Sequence, residues 1–220
     1  MSREQLVDRL ENAMTEVLTA LRAGRGAPPS EMSDLLHAIE DVGEMWRTKG
    51  VFSKRASGLL ALWAASFHRA LERYPSAAFG PLMEREAAVG SKGLEALHFV
   101  YHPGQGVDES HLLNERRRLI VEELTGAFRD LEVPLRLAYG FSQRNFDRLV
   151  LAIEQFGEEW RTDPAIRKLA ASWFIGFGGS MRATLGMYPP SERPPMLAGV
   201  EDVERAIGEA LRRPDKSNES

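Results

Sequence analysis

Two segments of the chain carry glutamates, a tryptophan and an arginine at the same spacing. Residues 38–48 have the sequence AIEDVGEMWRT, and residues 152–162 have the sequence AIEQFGEEWRT, 114 positions later and without a gap. A pocket lined by both segments could bind a cationic or amphipathic small molecule, or a partner that presents arginine or lysine. The candidate ligand-binding residues are Glu40, Glu44, Trp46, Arg47, Glu154, Glu158, Trp160 and Arg161.

The same residues also fit a structural network that fixes one helix against the next. Glu40 and Glu44 lie one helical turn apart and repel each other unless a cation compensates. Arg47, Lys54 and Lys168 are the candidate compensators, and the two tryptophans are candidate core anchors. Both interpretations predict that the charged side chains are mutually paired and more buried than charged residues usually are.

Two other stretches could do chemistry. Residues 175–180 (IGFGGS) could be taken for a phosphate-binding loop, but the segment 114 positions earlier, residues 61–66, has a plain helical pattern, and no strand precedes. We therefore expect a helix whose small residues allow a close neighbour, with Gly43 and Gly157 as the expected neighbours. Glu95 and His98 have a spacing that can bind a metal from a helix.

We expect neither a metal nor a cofactor. The second half of the chain has Glu209 and Arg212 where Glu95 and His98 stand in the first half, and His102 precedes a proline. The chain has no cysteine, which excludes disulfides, thiol nucleophiles and zinc sites made of thiolates. No nucleophile elbow or other catalytic signature is visible, so whether the protein is an enzyme stays open.

The helical periodicity of the sequence predicts the helices on which these residues lie. Apolar residues recur at helical spacing in the first half, within about residues 2–21, 31–48, 54–73 and 81–99, and we expect no strand. The pattern of the second half predicts helices at about 109–139, 144–162, 164–188 (with Pro164 in the first turn) and from 195 onward. Pro134 is expected to kink or break the first of these. Glycine interrupts the apolar stripe at Gly43 and at Gly157, which predicts close approach of another backbone.

The sequence therefore predicts an all-α fold of two tandem four-helix repeats, an internal duplication packed with pseudo-twofold symmetry. Residues 1–100 form the first predicted repeat and residues 115–213 the second. Residues 101–114 are predicted to be a linker and the start of a helix, and residues 214–220 a disordered tail.

Composition narrows the class of partner. The net charge is −4 and the pI is about 5.8, so we expect no nucleic-acid binding. No apolar run approaches the roughly 20 residues that span a bilayer. The charged N-terminus lacks a secretory signal, so a cytoplasmic protein is expected, and the excess of arginine over lysine suggests a bacterium. We interpret the chain as a non-catalytic helical binding protein, such as a scaffold, adaptor or regulatory partner. The alternative is a helical-bundle enzyme or small-molecule binder with a Glu/Arg/Trp pocket between the repeats.

Overall fold

The computed structural model describes residues 1–97, 114–140 and 142–212, and most of these residues are helical, which confirms the predicted all-α class. The elements in chain order are α1 (Arg3–Arg22), α2 (Pro29–Trp46), β1 (Val51–Ser53), α3 (Lys54–Ala61), α4 (Trp63–Leu71), a 3₁₀ turn (Ser76–Ala78), α5 (Phe79–Ala96), α6 (Glu115–Arg136), α7 (Gln143–Glu159), β2 (Ala165–Arg167), α8 (Lys168–Leu185) and α9 (Arg193–Leu211).

Side-chain caps fix where several helices begin. At α1 the Ser2 hydroxyl accepts from the backbone N–H of Gln5, and the Gln5 side chain accepts from the backbone N–H of Ser2. This is the capping box that the sequence spacing predicts. Asn114 caps α6 and Ser142 caps α7 by the same kind of bond to the third residue of the helix.

The helices pack around one hydrophobic cluster that includes side chains from both halves of the chain. In the first half α2 packs against α1 and α5, and in the second half α7 packs against α6 and α9. Helices α3, α4 and α8 lie between these two groups and contact each other. The centre of the molecule is therefore built from α3, α4 and α8, which are the most apolar stretches of the sequence.

Glycine allows close helix contact at two places. A Cβ atom on Gly43 would lie 2.8 Å from Cα of Ala96, and a Cβ atom on Gly157 would lie 2.7 Å from Cα of Ala210. The predicted close approach of another backbone is confirmed at both glycines. The neighbouring helices are α5 and α9, however, so the prediction that these glycines face the glycines of α8 was wrong.

Two short strands contradict the expectation of a strand-free chain. β1 and β2 pair antiparallel with Phe52 opposite Ile166, and both side chains are fully buried. A strand of three residues is too short to show alternation in a sequence, which explains why the pattern predicted none. The prediction that Pro164 opens a helix was wrong. Pro164 precedes β2, and α8 begins only at Lys168.

Some helix limits also differ from the prediction. The helix expected at residues 54–73 is interrupted at Leu62, where φ is −90° and ψ is 0°. Helix α6 begins at Glu115 and continues past Pro134 to Arg136, so this proline does not break it. The predicted linker at 101–114 lies outside the described residues except for its last position, and the predicted tail at 214–220 lies outside them entirely. Within the described parts of the chain, no helix has the length and apolar character required to cross a bilayer.

Candidate functional site

The repeated Glu/Trp/Arg residues lie at the C-terminal ends of α2 and α7. Both tryptophans are buried in the core, as predicted. The predicted burial of the charged residues was wrong, because all six are exposed: Glu40, Glu44, Arg47, Glu154, Glu158 and Arg161. The reason is helix geometry. Glu40 directly follows the core residue Ile39, and successive residues are rotated by about 100°, which turns the carboxylate toward solvent.

The pairing within this group is local. Glu44 and Arg47 form an ion pair at 3.5 Å, and Glu158 and Arg161 form the equivalent pair in α7. Each pair joins residues three positions apart on a solvent-exposed helix end. Exposed pairs of this kind contribute about 0–1 kcal/mol to the free energy of unfolding.

The first glutamates of the two segments lie in different surroundings. Glu40 is 3.5 Å from Lys92 of α5. Glu154 lines an open groove between α7 and α9, together with Asp202 and Arg205. Ligand binding by the eight candidate residues stays a prediction.

The two lysines expected beside the glutamates instead bind helix ends. The Lys54 ammonium donates to the carbonyl of Trp160 at 2.8 Å, and the Lys168 ammonium donates to the carbonyl of Arg47 at 3.1 Å. The last carbonyls of a helix carry partial negative charge, which favours a cation there. Both lysines are buried, and burial lowers the pKa of Lys54, although the charge of Asp163 opposes this shift.

An arginine covers one indole face of each tryptophan. The guanidinium of Arg117 lies 4.8 Å from the ring centre of Trp160, and it also binds Glu159 at 3.1 Å. The guanidinium of Arg3 lies 5.6 Å from the ring centre of Trp46. These faces are therefore already occupied by cations of the chain itself.

A second group of ionisable side chains lies inside the bundle, and sequence reasoning missed it. The group consists of His68 on α4, Glu86 on α5, Arg182 on α8 and Glu204 on α9. Glu86 and Glu204 are each only 5% exposed. Carboxylates are rarely buried to this degree unless they are paired. Four helices therefore bring together two buried carboxyl groups and two partly buried side chains, His68 and Arg182.

Only one of the two buried carboxyl groups has an ion pair. Arg182 Nη2 and Glu204 Oε2 are 2.5 Å apart, and both side chains are largely buried. Burial raises the pKa of Glu204, and the charge and hydrogen bond of Arg182 oppose that shift. The other two atoms of the pair, Arg182 Nε and Glu204 Oε1, have no hydrogen-bond partner in the described chain.

Glu86, in contrast to Glu204, has no ion-pair partner among the described residues. No hydrogen bond or ion pair within the described residues involves its carboxyl group. Burial raises the pKa of Glu86, and the charge of Arg182, which is not in contact with it, opposes the shift only partly. An unpaired carboxyl group in the core is destabilising when it is ionised.

His68 is neutral near neutral pH. Burial, and then the positive charge of Arg182, lower the pKa of His68 to about 4. Its Nε2 atom is buried and has no hydrogen-bond partner among the residues the structure describes. The imidazole therefore has one ring nitrogen that no described residue satisfies.

The glycine-rich stretch of α8 lies against the two carboxyl groups. Residues 175–180 are helical, as predicted. A Cβ atom on Gly178 would lie 2.9 Å from Oε1 of Glu204 and 3.2 Å from Cβ of Ala64, so the glycine makes room for this carboxyl group and for α4. A Cβ atom on Gly179 would lie 3.6 Å from Oε1 of Glu86, which is ordinary van der Waals contact.

A cavity of about 910 Å³ lies between α4, α5 and α8, and Glu86, His68 and Arg182 line it. This volume is in the range of small-molecule sites, about 300–1,000 Å³. Much of the wall is apolar, with contributions from Leu60, Met83, Ala87, Leu94, Ile175 and Met187. Trp63 also lines the cavity. It is 1% exposed, and its indole N–H has no acceptor in the described residues.

A larger groove of about 1300 Å³ adjoins the cavity, since His68 and Arg182 line both spaces. Charged side chains such as Glu11 and Arg55, which pair with each other, line this groove. We consider the smaller cavity the better candidate site, because Glu86, whose carboxyl group has no ion pair among the described residues, lines it.

No group of three or more potential metal ligands occurs in the part of the chain that the structure describes. Glu95, from the candidate metal motif, is exposed and lies 3.6 Å from Lys92. His98 and His102 lie outside the described residues.

Comparison of the chain with protein-family models, curated proteins and solved structures finds no match.

Proposed function

We propose that this protein binds a small molecule in the cavity between α4, α5 and α8. The observation that carries the proposal is Glu86 in the wall of a mostly apolar cavity: the residue is 5% exposed, and its carboxyl group has no partner among the described residues. A protein gains stability by pairing buried polar groups, so a buried group that faces a cavity without a partner indicates a site for a ligand. Trp63 and His68 also line this cavity, and each has a buried ring nitrogen without a partner among the described residues.

The experiment uses Gly90, which lines this cavity on α5. A Cβ atom on Gly90 would meet no described atom within 4 Å, so side chains of increasing size fit there until they fill the cavity. The neutral fluorescent dye Nile red serves as the probe. We expect the wild-type protein and Gly90→Ala to bind one dye per chain, and Gly90→Phe to lose binding by about tenfold or more.

Gly90→Ala is the matched control, because it changes helix propensity at the same position without filling the space. Circular dichroism and thermal melts of each variant establish that it is folded. Absence of dye binding to the wild-type protein, or equal binding by Gly90→Phe, would contradict the proposal. Native mass spectrometry of the purified protein offers a second test, since a co-purified ligand adds mass.

We also propose that the chain is an internal duplication, with residues 1–100 and 115–213 as two four-helix units packed about a pseudo-twofold axis. Contacts that recur 114 positions apart support this proposal, and so does the antiparallel pairing of Phe52 with Ile166. Gly43 packs against Ala96, and Gly157 packs against Ala210. The Tyr74 hydroxyl donates to the carbonyl of Leu21, and the Tyr188 hydroxyl donates to that of Leu135. The Lys168 ammonium donates to the carbonyl of Arg47, and the Lys54 ammonium donates to that of Arg161. Superposition of the halves in a crystal structure tests it, and halves with different helix order would refute it.

The scaffold or adaptor function, the bacterial cytoplasm and ligand binding by the exposed Glu/Trp/Arg residues stay predictions. The absence of cysteine fits a reducing compartment such as the cytoplasm.

A further inference from the structure

The charge balance of the cavity wall indicates what kind of ligand it takes. Arg182 is the cation whose charge acts on Glu86, but Arg182 already forms an ion pair with Glu204. His68 adds no positive charge at neutral pH. At the rim, Arg136 is paired with Glu132 at 3.2 Å. Glu84 also lines the cavity but is exposed to solvent. The buried carboxyl group of the wall that no cation of the described chain balances is therefore that of Glu86.

The surroundings of Glu86 fit an organic cation better than an anion. An ammonium group near a buried carboxyl group favours its ionised form and replaces part of the hydration that burial removed. A ligand carboxylate at the same place would meet a like charge. Apolar side chains and the indole of Trp63 provide walls for a hydrocarbon or aromatic body.

We propose that the cavity binds an organic amine, whose ammonium group pairs with the Glu86 carboxylate while its apolar body packs against Trp63, Met83 and Ile175. This inference rests on the proposed function, because it requires that the cavity admit a small molecule.

The test compares three probes that share a phenyl ring on a short chain. These are 2-phenylethylamine, which is cationic at pH 7, 2-phenylethanol, which is neutral, and 3-phenylpropionate, which is anionic. Isothermal titration calorimetry measures each affinity for the full-length protein. A hydrogen bond to a charged group contributes about 1.5–3 kcal/mol, so we expect the amine to bind about tenfold or more tightly than the alcohol. We expect the carboxylate to bind most weakly.

Two isosteric substitutions locate the interaction. Glu86→Gln removes the buried carboxylate and should reduce the affinity for the amine to that for the alcohol. Glu84→Gln is the matched control, because Glu84 lines the same cavity but is exposed to solvent. We expect Glu84→Gln to retain the preference for the amine, and neither substitution to change the affinity for the alcohol by more than a few fold.

The outcomes separate the two proposals. If the alcohol binds as tightly as the amine, or the carboxylate binds most tightly, the amine inference is wrong and the cavity remains a small-molecule site. If the amine preference survives in Glu86→Gln, the inference is also wrong, because another group then provides it. If none of the three probes binds but Nile red does, the amine inference alone is refuted. If neither the probes nor Nile red bind, the proposed function is refuted as well.

Discussion

Glu86 and Glu204 are equally buried, but within the described residues only Glu204 has a cationic partner. The two should therefore respond oppositely to the same substitution. Loss of one member of a buried ion pair leaves the other charge unpaired, which costs about 3–5 kcal/mol. Glu204→Gln should therefore destabilise the protein by an amount of this order. Glu86→Gln should stabilise it at pH 7, because the substitution removes a buried charge that has no partner.

The pH dependence of the Glu86 effect has a definite sign. The folded state raises the pKa of Glu86, so it binds a proton more tightly than the unfolded state does. The contribution of Glu86 to stability is therefore complete at low pH and is lost as pH rises through the folded pKa. Urea denaturation should show Glu86→Gln more stable than the wild type at pH 7 and nearly equal to it near pH 4. The exposed Glu84→Gln should change little at either pH, and a destabilised Glu86→Gln at pH 7 would show that Glu86 has a partner.

His68 should act in the opposite direction. Its folded pKa of about 4 lies below the usual value of 6.5, so stability should fall as pH falls from about 6.5 toward 4. Because Glu86 titrates in an overlapping range with the opposite sign, the comparison is best made in the Glu86→Gln background. There, His68→Asn should reduce the loss of stability between pH 6.5 and 4, as measured by thermal melts. The exposed His37→Asn is the control, and an unchanged pH profile for His68→Asn would contradict the burial of this imidazole.

The sequence held a signal for Glu86 that was missed. Glu86 lies four residues after Leu82 and three before Val89, on the apolar stripe of α5, whereas Glu84 lies off that stripe. How closely α4 and α8 approach Glu86 depends on long-range packing, which helical spacing does not reveal. A second local signal was the pair Gly178 and Gly179, which indicated a close neighbour. The missing information was that part of the neighbour is a carboxyl group. The spacing of the repeated glutamates predicted buried, paired side chains, but their position on the helix turns them to solvent.

At the scale of elements, two glycines define how closely the outer helices approach. The space that a Cβ atom would need on Gly43 or Gly157 is occupied by backbone and Cβ atoms of an alanine, which cannot move independently of their helix. Gly43→Ala and Gly157→Ala should each lower the free energy of unfolding by about 1–3 kcal/mol, the usual cost of overpacking. Gly90→Ala, also within a helix but facing open space, should instead raise it by up to about 1 kcal/mol. Urea denaturation distinguishes the two results, and equal midpoints for Gly43→Ala and the wild type would contradict the close packing.

Helices were more predictable than strands for a physical reason. Helical periodicity is a local property of the chain, and it located the long helices of the described residues, although it joined α3 and α4 into one helix and began α6 too early. The strands β1 and β2 exist because each finds a partner more than one hundred residues away. Local propensity contains no information about such a partner. It therefore predicts a helix start at Pro164, although this proline directly precedes β2.

At the scale of the whole molecule, buried lysines join the two halves. Lys54 and Lys168 each donate to a backbone carbonyl in the other half of the chain. Lys54→Met and Lys168→Met keep the length of the side chain and remove the donor, which should leave these carbonyls without that bond and cost about 1–3 kcal/mol each. Lys92→Met is the control, since its partners Glu40 and Glu95 are exposed and such pairs contribute about 0–1 kcal/mol. If thermal melts show the same small shift for all three variants, the lysines are not important links between the halves.

The pairing of β1 with β2 should also determine how long the native state lasts. Phe52 and Ile166 are 114 positions apart, and closing so long a loop is entropically unfavourable until other contacts have formed. We therefore expect this ladder and the adjacent lysine bonds to form after the folding transition state. Interactions absent from the transition state slow unfolding and leave the refolding rate unchanged. In stopped-flow experiments Lys54→Met and Lys168→Met should unfold faster than the wild type and refold at its rate, and slower refolding would place the ladder in the folding nucleus. The small antiparallel ladder would then slow unfolding without changing the folding rate, and so set the lifetime of the folded chain.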